Sequence, residues 1–567
     1  MPGSFLLRSS LAVLVCIAWL APRIDAAESV DLLIRNGVIY DGGGGAPVRG
    51  DVAVRDGRII AAGRLSDYTA KQELDARGLA VSPGFINMLS WATDSLIHDG
   101  RGMSDIKQGV TLEVFGEGNS YGPVNDLIRE EMLKTQGDIR YDITWTTLGE
   151  YLEFLVKKGV SPNVASFVGA TTVRSHELGF EDRAPNAAEL KRMQELVRQA
   201  MREGALGVGS SLIYAPASYA KTDELIALAK AAGEFRGAYI SHMRSEGDRL
   251  LEALGELIRI AREANVPAEV YHLKAAGQKN WPKMREAIAK IEAARASGLK
   301  ITADMYTYTA GATGLDAAMP PWVQEGGIDA WIGRLQDPTI RKRVIQEMRA
   351  PAADWESLFL AAGSPERVIL IGFKNEKLKP LTGKTLAEVA KLRGVSPEDA
   401  AIDLVIEDRT RVGTAYFLMS EDNVKLGLSQ PWVSIDSDAE APAPEGPFLL
   451  SNPHPRAYGS FARFLGRYVR EQKVATLQDA IRRLTRLPAQ TFKLKDRGCL
   501  EVGCHADIVI FDPATISDHA TFDKPHQYAT GVQHVFVNGV QVLRDGEHTG
   551  AKPGQVVRGP GWVGWKR

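Results

Sequence analysis

The sequence has very little cysteine and almost no net charge. Its 567 residues include three Cys, and 68 Lys and Arg stand against 70 Asp and Glu, so the formal net charge at pH 7 is −2. Three cysteines are too few for a fold held together by several disulfides. A nearly neutral chain lacks the broad field that attracts nucleic acid or an anionic membrane. The composition therefore argues against a disulfide scaffold and against a nucleic-acid-binding protein.

Long hydrophobic runs are also scarce. An apolar run at residues 11–21 follows Arg8, and it is too short to cross a bilayer, which takes roughly 20 residues. A small-residue cleavage site follows at Ala26. We therefore predict a secretory signal peptide over residues 1–26, with the mature protein periplasmic or secreted and without a membrane anchor.

Cleavage there would leave Cys499 and Cys504 as the cysteines of the mature chain. In an oxidising compartment, two cysteines this close in sequence can close a small loop. The alternative is two unpaired thiols in a turn. No second Cys or His pair with zinc-ligand spacing surrounds them, so neither is predicted to bind a metal.

Glycine, in contrast, is abundant, with 55 residues. Short alternating segments at both ends of the chain contain Asn-Gly or Asp-Gly pairs, at 36–37, 56–57 and 538–539. Such pairs are typical of β-hairpin turns. Both ends are therefore predicted to build one small β-sandwich, from residues 27–82 and 491–567.

The middle of the chain alternates between strands and helices. Eight apolar runs between positions 85 and 436 predict strands, and amphipathic segments such as 188–203 and 247–264 predict helices. This alternation indicates a parallel sheet, and eight strands fit a (β/α)8 or TIM barrel. We therefore predict an α/β fold with a barrel over residues 83–490 and a helical insertion around 315–430.

Two histidines and an aspartate stand at predicted strand ends, where a barrel has its active site. His242 and His272 follow adjacent strands, about 5 Å apart, and Asp438 follows the last strand. Two imidazoles can share a Zn²⁺ ion, and a carboxylate can accept a proton from water. The pattern predicts metal-assisted hydrolysis. The alternative is that each histidine is a hydrogen-bonded structural residue.

Several longer stretches carry a family resemblance. They are QGVT (108–111), SSLIYAPASYAKTDELIALA (210–229), SHMRSEGDRLLEA (241–253), HLKAAGQKNW (272–281), MYTYTAGATGL (305–315), HPRAYGSF (454–461) and GCHADIVIFDP (503–513). Together with the opening β segments, they resemble the amidohydrolase superfamily, and within it the D-aminoacylase (N-acyl-D-amino-acid deacylase) group. The resemblance implies a distorted TIM barrel beside a β-sandwich, zinc chemistry and amide substrates.

The resemblance also implies roles for individual residues. The two strand-end histidines match the zinc-binding histidines of the family, and Asp438 matches its catalytic aspartate. Tyr214, Arg244 and Lys274 match positions near the substrate carboxylate, where a cation and a hydroxyl can hold such a group. For Arg244, the alternative is a salt bridge at the base of a loop.

The first strand departs from the family pattern. Where the superfamily has Asp-x-His-x-His, residues 87–91 read NMLSW, so Leu89 and Trp91 replace both histidines. Neither side chain ligates a metal, and we therefore expect a mononuclear centre. These two side chains are expected to fill the space of a second metal site and to pack against an apolar acyl group.

The second strand departs as well, because Gly118 stands where the D-aminoacylase pattern has a zinc-binding Cys. Glu117, just before it, is predicted to be the third ligand, since a carboxylate beside two histidines is an established hydrolytic zinc set. Glu113 is a weaker candidate in the same strand. The alternative is that Glu117 is only a loop acid and that the site binds metal poorly.

The sequence therefore predicts an exported hydrolase with one zinc ion that cleaves the amide of N-acyl amino acids. Zinc would be held by His242, His272 and Glu117, and Asp438 would transfer the proton. A dipeptidase or cyclic-amide hydrolase of the same fold is one alternative. A non-catalytic protein that binds small amides or carboxylates is another.

Overall fold

The computed structural model of the protein describes residue 1, residues 28–351 and residues 354–566. Residues 2–26 of the predicted signal peptide, with its cleavage site, lie outside the described residues. None of the described helices has both the length and the apolar character that crossing a membrane requires.

The first strands pair with one another in a sheet. They are β1 (Glu28–Ile39), β2 (Val48–Arg55), β3 (Arg58–Gly63), β4 (Tyr68–Asp75) and β5 (Ala80–Pro83). β1 pairs antiparallel with β2 and parallel with β4 and β5, and β2 pairs antiparallel with β3. Asp56-Gly57 lies between β2 and β3, as expected for the turn of a hairpin.

The hairpin predicted at Asn36-Gly37 is wrong. β1 runs through this pair, and its register with β2 shifts between Ile34 and Gly37, which marks a bulge. Asn36 has a positive φ of 61°, a conformation that both a bulge and a tight hairpin turn can use. The Asn-Gly pair therefore correctly indicates a positive φ at Asn36, but the chain does not reverse its direction there.

The chain then alternates between strands and helices as predicted. In order these are β6 (Phe85–Asn87), α1 (Thr93–His98), α2 (Met103–Ile106), β7 (Val110–Phe115), α3 (Asp126–Thr135), α4 (Leu148–Lys158), β8 (Asn163–Ser166), β9 (Val168–Gly169), α5 (Ala170–Leu178), α6 (Ala187–Arg202), β10 (Gly207–Ser211), α7 (Thr222–Gly233), β11 (Ala238–His242), α8 (Leu250–Ala264), β12 (Ala268–Val270), α9 (Lys283–Ala296) and β13 (Ile301–Met305). α6 begins with a capping box between Asn186 and Glu189, which satisfies its first backbone N–H groups.

A mixed region interrupts the alternation after β13. It contains β14 (Gly311–Gly314), α10 (Ile328–Gln336), α11 (Pro338–Arg349), α12 (Leu358–Ala362), β15 (Val368–Gly372), α13 (Leu386–Arg393), α14 (Pro397–Asp408) and β16 (Gly413–Tyr416). β16 pairs antiparallel with β14 and β15. Most of this region falls in the segment where the sequence predicts a helical insertion.

The parallel strands follow the circular order of a distorted barrel. After the mixed region come α15 (Glu421–Leu428), β17 (Val433–Ile435), α16 (Arg456–Arg463), α17 (Leu477–Leu484) and α18 (Arg486–Thr491). Parallel pairing runs β6-β7-β8 and β9-β10-β11-β12-β13-β17, and Phe167 alone separates β8 from β9. Just beyond β6 and β17, Ser90 and Ala439 form a parallel bridge that joins the two ends of this order. The α/β fold class predicted from the sequence is confirmed.

The last strands return to the first sheet. They are β18 (Ile508–Phe511), β19 (Val532–Val537), β20 (Val540–Arg544) and β21 (Glu547–His548), and β18 pairs antiparallel with β5. Asn538-Gly539 forms the predicted hairpin turn between β19 and β20. Ile34, Val52 and Ile508 belong to one buried apolar cluster that draws on both ends of the chain.

Cys499 and Cys504 also belong to this cluster and form a disulfide, so the first of the two alternatives for these cysteines is the one observed.

Candidate metal centre

The carboxyl ends of the barrel strands place the two predicted histidines side by side. His242 is the last residue of β11, and His272 lies two residues beyond β12, the neighbouring parallel strand. Their ring centroids are 4.6 Å apart and their planes meet at 85°. The backbone of His272 has a positive φ of 37° and donates its N–H to the carboxylate of Asp304 at the next strand. The backbone after β12 is therefore held in an unusual conformation, and this conformation fixes the direction of the His272 side chain.

Glu117, two residues beyond β7, joins these histidines. Its Oε1 lies 3.0 Å from Nδ1 of His242 and 3.0 Å from Nε2 of His272, and all three residues are buried. Burial opposes the negative charge, but the hydrogen bonds with both histidines outweigh it and hold the pKa of Glu117 below its ordinary value. One ligand atom from each residue lies within 4.8 Å of the others. The structure thus brings together the three residues predicted as ligands.

The arrangement fits a zinc ion. Two imidazoles and one carboxylate form a known hydrolytic zinc set. Nε2 of His242 is buried and has no hydrogen-bond partner among the described residues, so this ring retains an unused donor or acceptor atom.

The backbone explains why the preceding residue, and not position 118, is the candidate third ligand. Gly118 has a φ of +70°, and a Cβ built on it would lie 2.5 Å from Cβ of Ser211. Two Cβ atoms cannot approach within 3 Å unless part of the structure shifts. A positive φ also strains the backbone of any residue except glycine. A cysteine therefore does not fit at position 118 in this structure, whereas Glu117 reaches both histidines.

Glu246 is a further buried acid that is not among the predicted site residues. Its Oε1 lies 3.0 Å from Nδ1 of His272 and 2.5 Å from Nζ of Lys274, and its Oε2 lies 3.7 Å from Nε2 of His242. Burial disfavours its charge, but Lys274 and the two histidines together lower the pKa of Glu246. A carboxylate behind a ligand histidine fixes the orientation of its ring. The available signal was an acidic residue four positions after His242, in the loop that precedes α8.

Two of the three residues predicted to bind a substrate carboxylate, Lys274 and Arg244, are already paired with carboxylates of the protein. The buried ammonium of Lys274 lies 2.8 Å from Nδ1 of His272 and pairs with Glu246, so its charge is already compensated. Arg244 forms a two-pronged salt bridge with Glu256, at 2.9 and 3.0 Å, and donates to two backbone carbonyls. This is the alternative arrangement, a salt bridge at the base of a loop.

Tyr214 lies next to the metal-ligand group. Its ring centroid is 5.3 Å from that of His242, and the guanidinium of Arg411 lies 4.6 Å from the same tyrosine ring. Burial raises the pKa of Tyr214 well above its ordinary value, so its hydroxyl stays protonated and can donate a hydrogen bond.

Asp438 reaches the site from the end of β17, where it has a positive φ of 45°. Its Oδ2 lies 2.8 Å from Nη1 of Arg456, a residue that is 3% exposed. Burial raises the pKa of Asp438, and the charge of Arg456 only partly offsets this effect. The guanidinium of Arg456 also lies 4.5 Å from the ring centroid of Tyr306, and its Nε has no hydrogen-bond partner among the described residues. Arg456 was not predicted, although it lies in the HPRAYGSF stretch.

Trp91 takes part in the site through its indole N–H. Nε1 lies 3.0 Å from Oε2 of Glu117 and 3.2 Å from Oδ1 of Asp438. Leu89, by contrast, has no exposed surface and packs in an apolar cluster with Phe167. The expectation that Leu89 packs against a substrate acyl group is therefore wrong, because its side chain belongs to the barrel core.

Glu113, the weaker candidate ligand, lies apart from the histidines. Its Oε2 accepts a hydrogen bond from Nδ2 of Asn87 at 3.1 Å, and the same amide donates to Asp105 at 3.1 Å. Burial raises the pKa of Glu113 to about 7. The side chain belongs to a polar network inside the barrel and not to the metal-ligand group.

Comparison with known proteins agrees with this geometry. A profile described as the amidohydrolase family matches residues 160–543. A D-aminoacylase of Alcaligenes xylosoxydans xylosoxydans is 33% identical over 535 residues, which cover 94% of this chain and 98% of the relative.

Solved structures lead to the same family. The crystal structure of N-acyl-D-glutamate deacylase from Bordetella bronchiseptica, with zinc and a phosphonate that mimics the tetrahedral intermediate, is 31% identical with a TM-score of 0.78, covering 94% of this chain and all of that one. A D-aminoacylase structure whose binuclear metal centre shows one-metal activation and second-metal attenuation is 32% identical with a TM-score of 0.77, covering 93% of this chain and all of that one. Since the profile spans more than half of the sequence and the relatives align almost from end to end, the chain belongs to the amidohydrolase family.

Proposed function

We propose that this protein is a hydrolase that uses one zinc ion to cleave the amide bond of N-acyl amino acids. The observation that carries the proposal is the contact of one Glu117 oxygen with both His242 and His272, beside the carboxylate of Asp438. The similarity to a D-aminoacylase and to an N-acyl-D-glutamate deacylase supports this substrate class.

Glu117 and Glu246 would have different roles in holding the ion. When bound, zinc polarises a carbonyl group and lowers the pKa of water. Glu117 offers a single oxygen on the side of the histidines, because its other oxygen accepts from Trp91. Glu246 holds the ring of His272 from behind. The absence of histidines at positions 89 and 91 supports a single ion.

Asp438 is placed to move the proton. As water adds to the carbonyl carbon, Asp438 accepts the proton that the water loses, and it passes this proton to the amine nitrogen as the C–N bond breaks. The products are a carboxylic acid and a free amine. A raised pKa suits this role, because the carboxylate must take up a proton and release it again in each cycle.

Arg456 is the residue best placed to bind the substrate carboxylate. All three cations have an internal carboxylate partner, which for Arg456 is Asp438, but Arg456 also keeps a buried Nε–H without a hydrogen-bond partner among the described residues. A guanidinium held against an aromatic ring is a suitable site for a carboxylate. Tyr214 can add a hydroxyl donor on the side of His242.

Zinc content and amine release test the function together. We expect about one zinc per chain and release of free amine from N-acyl amino acids, with dipeptides and cyclic amides included in the panel. Asp438→Asn should lower kcat by roughly 100-fold or more. The control is Asp436→Asn, a buried acid that directly follows β17, two residues before Asp438. Protein without zinc that releases no amine from any compound would contradict the proposal and favour a binding protein.

We also propose that the protein is exported. Arg8, the apolar run at 11–21 and the small residues around Ala26 support a signal peptide. The disulfide between Cys499 and Cys504 supports an oxidising compartment. Mass spectrometry of protein from cell fractions should find a periplasmic or secreted chain that begins at Ala27. A chain that keeps its N-terminus and stays in the cytoplasm would contradict this proposal.

A further inference from the structure

The indole of Trp91 joins the two carboxylates on which the proposed reaction depends. Its single N–H lies 3.0 Å from Glu117 and 3.2 Å from Asp438, which follow β7 and β17, the two strands on either side of β6 in the barrel order. The backbone holds the indole in place, because Trp91 donates its own N–H to the carbonyl of Ala439 at 2.9 Å, and Asp438 donates to the carbonyl of Leu89 at 2.9 Å. Backbone hydrogen bonds therefore connect the segment around Trp91 to the segment that carries Asp438.

Each of the two carboxylates uses its oxygens for different partners. In Glu117, Oε1 contacts both histidines, while Oε2 accepts from the indole. In Asp438, Oδ2 pairs with Arg456, while Oδ1 accepts from the same indole. The indole thus determines which oxygen of Glu117 faces the metal-ligand group and which oxygen of Asp438 faces Arg456.

A neutral donor suits this position for a physical reason. Two buried carboxylates repel each other, and without a group between them they would turn apart or bind a cation. An indole N–H donates to both, does not ionise and offers no lone pair to a metal. It can therefore hold both carboxylates without adding a ligand.

We propose that Trp91 is a positioning residue of the metal centre. Its indole N–H keeps Glu117 a one-oxygen ligand and keeps Asp438 at a fixed distance from that ligand. The inference rests on the proposed function and deepens it, because Trp91 acts through Glu117 and Asp438 and not through contact with the substrate.

The experiment replaces the indole by a ring without a donor, in Trp91→Phe. Zinc affinity is measured by competition with a chelator, and the absorption spectrum is recorded with Co²⁺ in place of zinc. We expect the zinc Kd to rise by about 10-fold or more, as for other hydrogen-bond partners of metal ligands. The Co²⁺ spectrum should change, because Glu117 is then free to rotate, and kcat should fall more than KM changes.

Trp322→Phe is the matched control. Trp322 also donates its indole N–H to a carboxylate, that of Glu347, at 2.7 Å, and neither residue belongs to the candidate site. This variant loses the same kind of hydrogen bond and should keep the zinc Kd and the Co²⁺ spectrum of the wild type. If Trp91→Phe does not fold, benzothienylalanine is placed at position 91, since it keeps the bicyclic shape and replaces the N–H by sulphur.

The outcomes separate the two proposals. An unchanged zinc Kd and Co²⁺ spectrum after loss of the N–H at position 91 would overturn the role of Trp91 while leaving the hydrolase proposal intact. Zinc binding by the wild type without any amine release would reject the hydrolase proposal, and the Kd comparison would still decide the role of Trp91. A wild type that does not bind zinc would reject both.

Discussion

Asp438 and Arg456 form a buried ion pair, with 2.8 Å between Oδ2 of the acid and Nη1 of the guanidinium. A second pair with the same arrangement joins Arg463 to Asp518 at 2.9 Å. In both pairs the guanidinium lies over a tyrosine ring, at 4.5 and 4.7 Å from its centroid. Since the second pair contains no residue of the candidate site, it provides a control for the chemistry of the first.

Arg456→Met should abolish the preference of the enzyme for a free substrate carboxylate. Truncating a buried, hydrogen-bonded charge costs about 2–5 kcal/mol, so kcat/KM for an N-acyl amino acid should fall roughly 30-fold or more. The matching substrate with a carboxamide in place of the carboxylate should lose much less. Kinetics on this pair of substrates, with Arg463→Met as control, provide the measurement. Equal losses for both substrates would show that Arg456 acts on Asp438 alone.

Glu117→Gln should weaken zinc binding by roughly 100-fold or more, because a neutral amide replaces a ligand that contacts both histidines. The control is Glu113→Gln, which removes another buried acid, four residues earlier in β7, that belongs to a different hydrogen-bond network. Zinc per chain, measured by mass spectrometry of the metal after dialysis, should fall only for the first variant. Full zinc occupancy in Glu117→Gln would reject this residue as the third ligand.

Excess zinc should not attenuate the activity. In the D-aminoacylase relative, a second metal attenuates a centre that one metal activates. Here the positions of the missing histidines hold Leu89, which lies in the core, and Trp91, whose N–H faces two carboxylates. Calorimetric titration of the metal-free protein should show one tight site, and activity should stay level as free zinc is raised. A second bound ion with falling activity would contradict a mononuclear centre.

The barrel and the grouping of the three candidate ligands could be predicted because their signals are local. An apolar run followed by a polar residue marks a strand end, and adjacent parallel strands bring such residues together, as for His242 and His272. Glu117 could be identified as a candidate from the sequence because it stands next to the position of the family's ligand. Gly118, which occupies that position, has no side chain that could bind a metal. These predictions needed no knowledge of packing beyond the order of the strands.

The remaining contacts depend on packing between distant segments. The indole of Trp91 meets Asp438 because the segments after β6 and β17 are bridged, and nothing within either segment indicates that contact. Likewise, the pairing of Arg456 with Asp438 depends on how α16 packs against the barrel. At Asn36 the opposite occurred, because tertiary pairing of β1 overrode a strong local turn signal.

A buried carboxyl group in the barrel should make stability depend on pH. Burial raises the pKa of Glu269 from about 4.5 to about 7, and the nearby charge of Asp436 adds to this, while the hydroxyl of Thr302, which donates to the carboxyl group, and the neighbouring Asp304 oppose it.

The sign of the effect follows from where the proton is held. Between these pH values the folded protein keeps the proton of Glu269 while the unfolded chain releases it, so the free energy of unfolding falls as pH rises, by up to about 3 kcal/mol. Glu269→Gln stays neutral in both states and removes this term. The drop in Tm between pH 5 and pH 8 should therefore be smaller in Glu269→Gln than in the wild type, whereas Glu286→Gln, a change on the exposed surface of α9, should leave it unchanged. Thermal unfolding of the three proteins at both pH values is the measurement, and an equal drop in all three would show that Glu269 is ionised in the folded protein at pH 5 already.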